Sequence, residues 1–208
     1  MNQVQHSSYS ADMANETGMG LRERKKLATW QAIRDAALRL IDRRDFDAVS
    51  LDEIAEAAGV SRTTLFNYFA SKEAIVLDPA PQDPQLWRSL MDARPERETL
   101  WASLQAVHLG YVSTFSDRLV LQKRLKTVSP TLAASTREHA ARFKRELRDW
   151  IADRAPSGSE VYAELAVNTA GAAMATAYTL WSPDDGFDRL MELARTCFEQ
   201  AGRGFTAP

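Results

Sequence analysis

Thr63, Thr64 and Asn67 fall on one side of a short segment whose other side carries Leu65 and Phe69, with Phe66 flanking them. At about 100° per residue on a helix, the two sets point apart. Short polar side chains let a helix approach base edges closely. Their hydroxyl and amide groups donate or accept there, and a threonine methyl packs on a thymine methyl. Arg62, Tyr68 and Lys72 stand at the ends of the same surface, where phosphates would lie. Backbone N–H groups at a helix start near Lys72 would add to an anion site, and Ser50 offers the same one helix earlier. This is the chemistry of recognition, without bond making or breaking.

The elements that must position these groups are legible around them. Leu51, Ile54, Ala55 and Ala58 form an inward stripe, opened by Ser50 and Glu53 in a capping-box pattern. Gly59 is expected at a left-handed helix end, and Ser61 caps the segment that follows. Ser71 caps the next. Two short helices split by Gly59-Val60-Ser61 match a helix-turn-helix, whose second helix enters the DNA major groove. Neither would be stable alone. A longer helix before them, with Leu27, Trp30, Ile33, Ala37, Leu40 and Ile41 in phase, supplies the surface that buries them. It is expected to end near Arg43 and Arg44, where cations suit the helix terminus.

Beyond Pro79, Pro81 and Pro84 every segment reads helical. The expected pieces lie around Leu86–Met91, from Glu96 to about Ser116, from Leu119 to Val128, and from a Ser129-Pro130 cap to about Arg154. Two more run from a Ser157/Glu160 cap to Trp181, and from a Ser182-Pro183 cap to near Gly202. No segment alternates with period two over a useful length, and no internal repeat is present. The fold class is all-α, with about nine helices. The expected division is a disordered tail at 1–20, a three-helix helix-turn-helix domain at 21–72, and a helical domain at 73–208.

Composition narrows the class. The chain has 208 residues, 45% hydrophobic and 26% charged, as a globular protein does. No run of 18 or more apolar residues is present, and the first twenty residues lack the basic start and apolar block of a secretory signal. The single Cys197 excludes an intrachain disulfide and a multi-cysteine zinc site. A cytoplasmic location is the expectation. Net charge is −2, yet residues 21–44 hold eight basic and three acidic side chains. On charge alone a phosphate-facing end and a solvated helix face are equally good readings.

The run SLDEIAEAAGVSRTTLFNYFASKEAIV resembles the DNA-binding domain of tetracycline-repressor-type (TetR family) transcriptional regulators. The Gly-Val-Ser turn, the Thr-Leu-aromatic-x-Tyr-Phe run and the Ser-Lys-Glu after it carry the likeness, which is specific over residues 25–77. The resemblance implies DNA contacts from Arg62, Thr63, Thr64, Phe66, Asn67 and Tyr68, and a phosphate-binding lysine at Lys72. Phe66 stands where many members have tyrosine, so it is expected to pack rather than to bond a phosphate. The family further implies a homodimer on a palindromic operator. A C-terminal helical domain would bind a small hydrophobic molecule and release the DNA, most often from repression.

The C-terminal sequence offers candidates for both roles. Trp101, His108, Tyr111 and Phe115 share one side of a helix, and Asn168 and Tyr178 bring polar atoms into otherwise apolar stretches. Apolar pockets with a few convergent polar groups hold small ligands, although an aromatic stripe at this spacing also builds ordinary core. Small residues crowd the segment from Val161 to Trp181. With the last helix it is expected to form a dimer interface through Val161, Leu165, Ala172, Thr176, Leu190, Met191, Ala194 and Cys197; the alternative is an internal core helix pair within one monomer. An enzyme is not expected: no metal-protease, phosphate-loop or di-iron pattern occurs. His6, His108 and His139 are far apart, and the adjacent Glu138 and His139 point in different directions. No metal and no cofactor are expected. The alternative function is a helical protein-interaction adaptor without DNA binding. It would have no use for a polar recognition face beside a basic helix.

Overall fold

The computed structural model describes residues 20–126, 130–154 and 158–204. The expected tail at 1–20, apart from Gly20, lies outside the described residues, as do the expected caps Ser129 and Ser157. Among the described residues there are ten α-helices and no strand. They are α1 (Leu21–Arg43), α2 (Leu51–Ala57), α3 (Arg62–Phe66), α4 (Lys72–Leu77), α5 (Asp83–Asp92), α6 (Leu100–Ser113), α7 (Ser116–Lys126), α8 (Pro130–Ala152), α9 (Glu160–Leu180) and α10 (Gly186–Gly202). Single 3₁₀ turns occupy Phe46–Ala48 and Pro183–Asp185. The chain forms two compact units, divided between Ile75 and Val76 within α4.

In the first unit α1 buries Trp30, Ile33, Ala36, Ala37 and Ile41, and Ile54, Leu65 and Phe69 are buried as well. The rings of Trp30 and Phe69 lie 5.6 Å apart. Arg34 is also buried. Its guanidinium lies 3.9 Å from the centre of the Trp30 ring, and its Nε donates to the Ile75 carbonyl at 2.6 Å. A buried cation is tolerable when an aromatic face and a carbonyl replace water.

In the second unit two apolar clusters adjoin. One gathers Trp87, Leu104, Phe143, Leu147, Ala166 and Phe198 from five helices; the other gathers Val112, Leu119, Ala177, Trp181, Leu190 and Ala194. Gly202 has a packing role: a Cβ there would meet the indole nitrogen of Trp101 at 2.3 Å.

Several boundaries differ from expectation. α6 begins at Leu100 rather than Glu96, because the Thr99 hydroxyl accepts from the Ala102 N–H and starts the helix there. α9 begins after Ser159. The Ser182-Pro183 signal opens a 3₁₀ turn closed by a Ser182/Asp185 capping box; the last helix starts only at Gly186, whose φ is +77°.

Candidate nucleic-acid interface and ligand pocket

The turn before the recognition segment is a backbone construction. Val60 N–H reaches the Ala55 carbonyl at 2.9 Å and Gly59 N–H the Glu56 carbonyl at 3.0 Å, the paired bonds of a Schellman ending. Gly59 takes φ +68° to make them. Ser61 then caps α3 through the Thr64 N–H at 3.0 Å, and its hydroxyl also meets the Thr64 hydroxyl at 2.8 Å. Leu65 and Phe69 are buried, whereas Arg62, Thr63, Phe66 and Asn67 are exposed and Thr64 and Tyr68 half-buried. The polar and apolar sides therefore separate as the spacing predicts. Phe66, expected to pack, is 45% exposed instead, with the Arg62 guanidinium 5.7 Å from its ring centre.

The cationic and hydroxyl groups around this face are held by neighbours. Arg62 bonds both carboxylate oxygens of Asp52, at 2.9 and 2.7 Å. Ser50 and Glu53 close the capping box: the Ser50 N–H and hydroxyl both donate to Glu53 at 2.8 Å, and Arg44 reaches its other oxygen at 2.9 Å. The Ser50 N–H, then its hydroxyl, then Arg44 hold the Glu53 carboxyl down to about 2. Lys72 donates to the carbonyls of Phe46 at 2.7 Å and Val49 at 2.9 Å, with its ammonium 4.3 Å from the Phe46 ring centre. It ties the start of α4 to the loop before α2.

Within the second unit lies a cavity of about 650 Å³, in the range of small-ligand sites. Of the expected ligand residues, His108, Tyr111, Phe115, Asn168 and Tyr178 line it. Trp101 does not. Its indole donates to the Phe198 carbonyl at 3.2 Å and packs on the Phe198 ring, so it serves as core. Asn168 is on the wall but committed: its amide nitrogen donates to Glu164, and its oxygen accepts from Lys144. Tyr178 packs on Trp181, and burial pushes its phenol up to about 12.

The polar centre of the cavity includes residues that the sequence did not single out. Asp83, 3% exposed, accepts at one oxygen from the Ala80 N–H at 3.1 Å and from the Tyr111 hydroxyl at 2.9 Å. Since Tyr111 donates there, its oxygen accepts from His139 Nε2 at 2.5 Å, and that nitrogen is also 3.4 Å from Asp83. Phe143 packs against the rings of Trp87, His108 and Tyr111. Tyr111 and each of its two partners are 28 residues apart, so no local pattern could have joined them. The one sequence cue was the interrupting prolines, which bring Asp83 to a helix start.

His108 Nδ1 lies 2.8 Å from the Leu104 carbonyl. A carbonyl only accepts, so Nδ1 carries the proton. Burial holds the imidazole down to about 4, against that bond, so Nε2 keeps a free lone pair.

The residues expected at a subunit interface divide. Val161 and Leu165 are 83% and 56% exposed, Thr176 is exposed on the same side of α9, and Ala172, also exposed, lines the mouth of the cavity. Leu190, Met191 and Ala194 are buried within the chain itself, packed in the second cluster rather than presented on its surface. Cys197 is half-buried. The apolar stripe of α10 was visible in the sequence, and of the two partners open to it, a second subunit or α9 of the same chain, α9 covers it.

Among the described residues no group of three or more His, Cys, Asp or Glu is placed to hold a metal ion. None of their helices is long and apolar enough to cross a membrane.

Residues 33–78 match the family model described as bacterial regulatory proteins, tetR family. The chain is 29% identical over 198 residues to MftR of Mycobacterium tuberculosis, a protein named for regulating transcription of mycofactocin biosynthesis. That match covers 92% of this chain and 97% of MftR. It is 39% identical over 74 residues to the HTH-type transcriptional regulator RutR of Escherichia coli K12, 36% of this chain and 35% of RutR. In fold it resembles the regulator FadR of Bacillus subtilis, solved with stearoyl-CoA, with a TM-score of 0.52 and 19% identity over 83% of this chain and 97% of that one.

Proposed function

We propose that this chain, which belongs to the tetR family of bacterial regulatory proteins, is a cytoplasmic repressor that binds a palindromic operator as a homodimer. A small apolar molecule held in the second unit releases it. The observation that carries DNA reading is the division of one short segment. Thr63 and Asn67 are exposed beside Phe66 and Arg62, while Leu65 and Phe69 anchor them from below. A protein-docking adaptor would have no need of that polar face.

In this reading Thr63 and Asn67 meet base edges, and Phe66 offers an apolar contact to a thymine methyl or sugar. Arg62, Tyr68, Lys72 and Ser50 face phosphates. Arg62 must exchange Asp52 for a phosphate to do so. Two recognition helices have to sit about 34–36 Å apart to reach successive half-sites, which is the reason for a dimer. The exposed side of α9, from Val161 and Leu165 through Thr176 to Leu180, is the surface for it. Leu77, at the end of α4, lines the cavity, and Lys72 at its start holds Phe46 and Val49. Ligand and operator then weaken each other by the same factor, as linkage requires. The stearoyl-CoA of Bacillus subtilis FadR belongs to that protein; the likeness carries fold alone.

Mobility-shift and footprinting measurements on the DNA flanking the protein's own gene test this. A protected palindrome is expected. Thr63→Ala and Asn67→Ala should each relax preference at one or two base positions at a cost of about 1–3 kcal/mol. Binding that ignores sequence, or that these variants leave intact, refutes the assignment.

A further inference from the structure

Two buried polar groups of the cavity, His108 and Asp83, are acceptors. His108 presents the lone pair of Nε2, because its proton is committed to the Leu104 carbonyl. Asp83 presents a carboxylate whose three contacts, with Ala80, Tyr111 and His139, all fall on Oδ2. A carboxylate has about four lone-pair sites over two oxygens, so Oδ1 retains acceptor capacity. The Tyr111 proton is spent on Asp83. The cationic Lys144 also lines the cavity; it spends one of its three donors on Asn168, and the Glu164 carboxylate beside it balances its charge. Aromatic faces of Phe115, Phe143 and Tyr178 complete the wall.

A ligand with an acid headgroup would bring lone pairs against lone pairs and negative charge against Asp83. A ligand with an N–H or O–H would meet acceptors already oriented, and an ammonium would also meet aromatic faces. Resting on the ligand-pocket reading, we propose that the cavity selects an apolar molecule bearing a proton-donating headgroup, an amine or a hydroxyl, received by Asp83 and His108. A buried carboxylate oxygen without a donor is costly, and such a headgroup relieves that cost at Oδ1 of Asp83.

The test uses the full-length protein with n-decylamine, 1-decanol and decanoate as probes, read by calorimetric titration and by the shift in melting midpoint. Decylamine and decanol should bind at least about tenfold more tightly than decanoate, the scale of one charge-assisted hydrogen bond. Asp83→Asn should erase most of the decylamine preference. His108→Leu should weaken decanol, and it gives a second reading if Asp83→Asn folds poorly. Tighter binding of decanoate, abolished by Lys144→Met, overturns the donor assignment while leaving the pocket reading intact. An unchanged ratio in both the Asp83 and His108 variants also overturns it. No binding by any of the three overturns both.

Discussion

The ammonium of Lys72 lies 2.9 Å from the backbone carbonyl of Val49 and also reaches that of Phe46. A lysine expected at a phosphate is therefore also a staple inside the reading unit. Its ammonium has three donors, so a third remains for DNA. Lys72→Ala should lower stability by about 1.5–3 kcal/mol, the worth of hydrogen bonds from a charged group. It should also weaken binding to all operators alike and reduce the salt slope by about one ion. Urea denaturation and a salt titration of operator binding check both. Unaltered stability would show that the carbonyl bonds contribute nothing net.

The reading unit was largely legible because its signals are local. Ser50 with Glu53, Gly59 before Ser61, and the apolar stripe through Leu65 and Phe69 each lie within one or two turns. The lysine staple spans 26 residues to Phe46, and only the fold could display it. The cavity was half legible for the same reason. His108 and Tyr111 share a side of α6 and Phe115 follows in the turn after it, whereas Asp83 and His139 reach Tyr111 only after three helices pack. Periodicity also cannot say which partner covers an apolar stripe. That is how Leu190 and Ala194 came to be expected between subunits and lie inside one.

Gly59 offers a clean backbone test. A Cβ there would meet nothing within 4 Å, so any penalty comes from φ +68° alone. Gly59→Val should cost roughly 1–2 kcal/mol or more, and Gly59→Asn less, since asparagine tolerates the left-handed region. Equal melting points for the two variants would contradict the Schellman ending.

His108 gives the fold a pH dependence with a definite sign. Its folded pKa is depressed to about 4 by burial, against 6.5 for the free group. Below 6.5 the unfolded chain takes up a proton that the folded chain refuses. Its contribution is full above that pH and is lost as pH falls toward about 4, at up to about 1.4 kcal/mol per unit. Denaturation midpoints between pH 7 and pH 4.5 should show His108→Leu falling less steeply than the parent. Parallel slopes would mean that the imidazole is hydrated in the folded protein.

The proposed dimer surface is tested by contrast between two leucines. Leu165 is 56% exposed on α9, and Leu190 is fully buried between helices of one chain. Across a two-fold axis an acid at Leu165 is brought toward its own copy. Leu165→Glu should therefore weaken dimerisation by at least about tenfold, or 1.4 kcal/mol. It should leave helical content unchanged. Leu190→Glu places an unpaired charge in the core and should prevent folding altogether. Sedimentation velocity with circular dichroism separates the outcomes. A Leu165→Glu protein that remains dimeric would move the interface off this face of α9, and with it the geometry proposed for reading two half-sites.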